Sequence, residues 1–93
     1  MDLKRNQFGV PQYPDDDVRK LFVLLAAMDL LERPTKTALA DLSGHPPALI
    51  DDAVLRLREE FGVNLHKVGE IYHIAGWGDV LKARGVKRHL KGR

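Results

Sequence analysis

The apolar residues of this chain change their spacing at one point, and that change limits the folds open to it. Ile50, Val54, Leu57 and Phe61 recur at intervals of three and four, as on one buried stripe of a helix. After Gly62 the interval falls to two. Val63 and Leu65 alternate, and so do Tyr72 and Ile74. Between them lies "HKVGE" (66–70), whose Gly69 suits a tight turn, so residues 63–75 read as a β-hairpin that follows a helix.

Two more helices precede that switch. "DDD" (15–17) puts acids where a helix dipole favours them, and Val18, Leu21, Phe22, Leu25 and Met28 then repeat at helical spacing. Leu24, Leu30 and Leu31 widen the stripe, and Pro34 pushes Arg33 out of helical geometry, so the first helix is expected at 15–32. Thr35 is a natural N-cap for "KTALADLS" (36–43), which buries Ala38, Leu39 and Leu42, and Gly44 closes it. Pro46 and Pro47 fit the opening turn of the third helix, where a missing N–H costs little. Residues 1–14, with Gly9, Pro11 and Pro14, read as a flexible, irregular arm that either precedes the domain or packs on its surface through Phe8, Val10 and Tyr13. Asp79 is expected to cap a short last helix with Val80 and Leu81 inward, fraying near Gly85 into a basic tail. The expected division is therefore an arm (1–14), one domain (15–81) and a tail (82–93).

With 93 residues there is room for one core. The absence of cysteine removes disulfides and thiolate metal sites. "LFVLLAAM" (21–28) is too short to cross a bilayer, and the N-terminus has no apolar signal core, so no membrane partner and a cytoplasmic location are expected. Net charge is +2, unevenly spread. Lys82, Arg84, Lys87, Arg88, Lys91 and Arg93 give the last twelve residues +6, while nine basic and thirteen acidic residues leave the first 81 at −4. The high isoelectric point belongs to the tail, which can be either a phosphate anchor or a solvated end.

A long helix, a short helix, a glycine turn, a third helix and a hairpin is the order of a winged helix-turn-helix. On "TALADLSG" (37–44), "LREEFGV" (57–63) and "VNLHKVGEIYHI" (63–74), the chain resembles the winged helix-turn-helix family, in particular the DNA-binding domain of the biotin operon repressor. The resemblance covers residues 17–75. The exit of the third helix is one residue longer than the family's Leu-Arg-x-x-Gly spacing, and the wing is about one residue shorter. Nothing after residue 78 resembles a biotin-ligase domain, so no enzyme activity is carried over. The resemblance implies an α+β fold, mostly α, and contact with double-stranded DNA.

A helical wheel set by Ile50, Val54, Leu57 and Phe61 turns Ala48, Asp52, Leu55 and Glu59 outward, flanked by Arg56 and Asp51, with Arg58 and Glu60 nearer the core edge. Reading helices ordinarily carry Arg, Lys, Asn or Gln on this face. Two acids, an alanine and a leucine make a poor reader of a polyanion, and the prolines remove two N–H groups from the helix start. Candidate DNA contacts are therefore Thr35, Lys36 and Thr37 before and in the second helix, Ser43 and His45 in the turn, Arg56, His66 and Lys67 on the wing, and Lys87, Arg88, Lys91 and Arg93 in the tail. The rival reading gives the Ala48, Asp52, Leu55, Glu59 face to a protein partner, with Leu55 as its apolar anchor. Trp77 is either a lid on the core or part of such a contact. A homodimer would let a weak reading helix engage two half-sites, with Leu55, Trp77 and the last helix as candidate surfaces.

Of the four histidines only His66 and His73 can meet, across the hairpin, and neither an acid nor a third ligand has suitable spacing, so no metal and no cofactor are expected. No glycine-rich phosphate loop and no Ser-His-Asp or Cys-His set can be assembled. The expected function is a small non-enzymatic DNA-binding protein, a transcriptional regulator. The alternative is a winged-helix protein-interaction module.

Overall fold

The computed structural model describes residues 4–14, 16–78, 81, 82 and 84–86. Its elements are α1 (Arg19–Leu30), α2 (Lys36–Ser43), α3 (Pro47–Phe61), β1 (Asn64–Val68) and β2 (Ile71–Gly76). Three helices followed by an antiparallel hairpin make the chain α+β, in a layout compatible with a winged helix.

The locally coded ends fall where the sequence places them. Thr35 is the N-cap of α2, its hydroxyl accepting from the Ala38 N–H at 3.2 Å. Gly44 closes α2 at φ +81°, and a Cβ there would also run into the Gln12 side chain. Pro47 opens α3 as its first residue and Gly62 ends it. Gly69, at φ +62°, is the first of two turn residues between the paired Val68 and Ile71. Among the described residues only glycines have positive φ, so Glu70 does not, and the turn is of type II′.

α1 is shorter than expected, beginning at Arg19 rather than 15 and ending at Leu30 rather than 32. Asp17 does not sit in its first turn. Its carboxylate accepts from the Arg19 N–H at 2.9 Å, and its own N–H bonds Pro14 O at 3.0 Å, so a turn precedes the helix. Val18, left before the helix, is exposed, and Leu30, its last residue, is exposed as well, so neither joins the buried stripe.

The core lies between the helices and the inner face of the hairpin. Leu24 and Leu25 of α1, Leu39 of α2, Ile50 and Leu57 of α3 and Leu65 of β1 are fully buried, and Phe22 meets Phe61 edge to face at 5.4 Å. Trp77 packs half-buried against this cluster, the position of a lid. Val86 is buried in it too, and its N–H bonds Lys82 O at 3.0 Å. Val86, within the stretch expected as tail, thus contributes to the core. The expected cap Asp79 and its neighbour Val80 lie outside the described residues, as does Asp15.

Residues 4–14, irregular as expected, are fastened to the helices. Val10 and Tyr13 bury against Val23, with Leu42 alongside. The Asn6 carboxamide accepts from the Phe8 and Val10 N–H groups and donates to Leu42 O at 2.7 Å. Gln12 donates to Ser43 O at 3.2 Å. Two carbonyls left over at the end of α2 are thus satisfied by side chains of the arm.

Candidate nucleic-acid interface

The residues expected to touch phosphate divide into two groups once burial is known. Ser43 and His45 are 4% and 5% exposed, so neither presents its side chain freely to a duplex backbone, although His45 lines a depression between α1 and α3. The Ser43 hydroxyl donates to Leu39 O at 2.6 Å, accepts from the His45 N–H at 3.2 Å and meets His45 Nδ1 at 2.9 Å. This local network shapes the α2–α3 turn. Polar side chains at a turn read alike in sequence whether they face water or close a buried bend.

Thr35, Lys36 and Thr37 do come together with Lys67. These four, with Glu70, line one shallow depression where the start of α2 meets the wing. The approach is fixed by backbone and side chain alike. The Tyr72 N–H donates to Pro34 O at 3.0 Å, tying β2 to the segment before α2. The Tyr72 hydroxyl donates to Asp51 Oδ1 at 2.6 Å, and Lys36 Nζ donates to Asp51 Oδ2 at 2.8 Å. Lys67 Nζ lies 5.2 Å from the centre of the Tyr72 ring.

Asp51 is therefore the hub that joins α2, α3 and the wing. Hydrogen bonds from Lys36 and then Tyr72 hold its carboxyl below the usual aspartate range. Burial, with the Asp51 hydrogen bond and charge adding to it, pushes the Tyr72 phenol well above the ordinary tyrosine value. Reading the sequence missed both roles. Asp51 was only a flank of the outer face and Tyr72 only a strand residue, and partners fifteen and twenty-one positions apart leave no local signal.

The outer face of α3 is as the wheel placed it: Ala48, Asp52, Leu55 and Glu59 are all exposed. Leu55 is 48% and Leu49 is 47% exposed. Arg58 and Glu60 are exposed as well, rather than at the core edge. Arg56 donates to Glu60 at 2.7 Å across one helical turn, and Glu60's carboxyl is held below its ordinary range by that contact. A groove between α3 and the wing is lined by Asp52, Leu55, Arg58, His66, Lys67 and Tyr72 among others, so it carries both signs of charge. Lys87, Arg88, Lys91 and Arg93 lie outside the described residues.

Among the described residues no group of three or more His, Cys, Asp or Glu side chains is placed to hold a metal ion, and no helix is long and apolar enough to cross a membrane. The chain matches no protein family, no curated protein and no solved structure at a significant level.

Proposed function

We propose that this chain is a small, non-enzymatic DNA-binding protein of the cytoplasm, a transcriptional regulator that grips the duplex backbone between the start of α2 and the wing. The observation that carries the reading is the convergence of Thr35, Lys36, Thr37 and Lys67 on one depression. Two ammonium groups, two hydroxyls and the N–H groups at a helix start are a set of donors suited to phosphate oxygens. Lys36 is engaged by Asp51, but both side chains are well exposed. An exposed pair of this kind is worth roughly 0.2–1 kcal/mol, so a phosphate can share or displace the carboxylate at little cost. The acidic outer face of α3 then adds little base readout. Affinity comes from the backbone and the basic tail, and specificity from pairing two half-sites in a homodimer.

The test is a fluorescence-anisotropy titration with random duplex DNA over a salt series. Because Val86 belongs to the core, the charge of the tail is lowered from +6 to +2 by replacing Lys87, Arg88, Lys91 and Arg93 with alanine rather than by truncation. Binding is expected to survive those substitutions in weakened form. Lys36→Ala and Lys67→Ala should each lower the slope of log affinity against log salt by about 0.9. Absence of binding at low salt, or binding that depends on the tail alone, rules the reading out.

The second reading, a protein-interaction module, is favoured by one observation: Leu49 and Leu55 stand half-exposed on the same acidic helix as Asp52 and Glu59. Leu55→Asp should then abolish a protein complex while leaving the DNA titration unchanged.

A further inference from the structure

The wing carries a pair of facing side chains that the proposed function does not use, His66, which also lines the groove towards α3, and His73. In the antiparallel register His66 stands directly opposite His73, both are exposed, and their rings lie 26° from parallel with centroids 5.5 Å apart. Their position on the ladder is fixed. Val68 and Ile71 flank the two-residue turn, and the Tyr72 N–H points away from β1 to Pro34, so Lys67–Tyr72 is a non-hydrogen-bonded pair and His66–His73 a hydrogen-bonded one. Strand alternation separates this face from the one that carries Leu65, Lys67, Tyr72 and Ile74. The Lys67 ammonium is accordingly held over the Tyr72 ring rather than beside the two imidazoles.

We propose that His66 and His73 form a two-imidazole site for a divalent transition cation of the zinc, copper or nickel class. Neutral imidazole is the commonest protein ligand for these ions. A zinc-bound imidazole nitrogen sits about 2.0–2.1 Å from the metal, and at the tetrahedral angle two such rings have centroids roughly 5 Å apart. The separation in the free hairpin is already close to this. The near-parallel rings must turn about their side-chain torsions for their nitrogens to converge, while the type II′ turn and the Pro34–Tyr72 bond hold the strands in register. Water, or the same pair from a second chain, fills the remaining positions. Such a site does not depend on DNA binding and stands or falls separately from it.

The experiment is a calorimetric titration of zinc into the full chain at neutral pH, with the imidazole resonances followed by NMR. We expect both imidazole signals to move together, at one zinc per chain or one per two chains. His66→Ala and His73→Ala should each weaken uptake by at least about tenfold, because each leaves a single ligand without its chelate partner. His89→Ala should leave uptake unchanged. Both substitutions are at exposed positions, so an unchanged circular dichroism spectrum confirms that the fold is retained. Wild-type uptake in either single variant, a response from only one imidazole, or no uptake up to millimolar zinc overturns the proposal.

Discussion

Replacing Tyr72 by phenylalanine removes one hydroxyl and leaves the buried ring in place, which isolates the link between the wing and α3. The lost bond is short, 2.6 Å, and its acceptor is a carboxylate. Hydrogen bonds to charged groups contribute about 1.5–3 kcal/mol when well sheltered. The Asp51 side chain is 59% exposed, so water replaces the phenol on the carboxylate and the net loss falls towards about 1 kcal/mol. In a domain of this size that loss lowers Tm by roughly 4–8 °C. The informative assay is a double-mutant cycle of Tyr72→Phe and Asp51→Ala, followed by urea unfolding at pH 7. A coupling energy of about 0.5–1 kcal/mol is expected, because the two side chains touch directly. Coupling indistinguishable from zero, with Tyr72→Phe as stable as the wild type, would refute the claim that the phenol anchors the wing through Asp51.

The same pair sets a dependence on pH at both ends of the scale. Tyr72 holds its proton more tightly when folded, so its contribution is complete below the unfolded tyrosine value of about 10 and is lost as pH rises towards the higher folded value; Tyr72→Phe should flatten the alkaline limb of a stability–pH curve. Asp51 is shifted the other way, so its contribution is present above about pH 4 and is lost as pH falls through its depressed folded value, a loss that Asp51→Asn should remove from the acid limb. Gly44→Ala combines a positive φ with the Gln12 contact and should cost about 1–3 kcal/mol in urea unfolding; a neutral result would show that the turn readily adopts another geometry. Val10→Ala removes buried methyl groups from the contact with Val23 and should cost about 1–2 kcal/mol, with faster tryptic cleavage after Lys4 and Arg5 as the arm loosens.

The elements with local codes were legible from the chain alone. Thr35 and Gly44 bound α2, Pro47 and Gly62 bound α3, and Gly69 fixes the hairpin, because a cap or a turn is decided by the few residues that form it. The spacing of Ile50, Val54, Leu57 and Phe61 placed the outer face of α3 correctly for the same reason. The start of α1 was not legible. Three successive acids read as a first turn, but Asp17 spends its carboxylate on the Arg19 N–H in a turn outside the helix, and nothing in "DDD" chooses between those uses.

What the sequence by itself determined was the order of elements, the switch from helical to alternating period, and which side of α3 meets solvent, since each depends on neighbours within a turn or two. Only the tertiary structure decided the rest. Packing of the arm turned Asn6 and Gln12 into caps for α2, and closure of the α2–α3 turn buried Ser43 and His45. Docking of the wing brought Lys67 to the start of α2 and made Asp51 the partner of both Lys36 and Tyr72. These are contacts between residues far apart in the chain, fixed by the burial of Leu39, Ile50, Leu57 and Leu65 in one core. A periodicity records which residues are buried, but not which distant polar group each burial brings alongside.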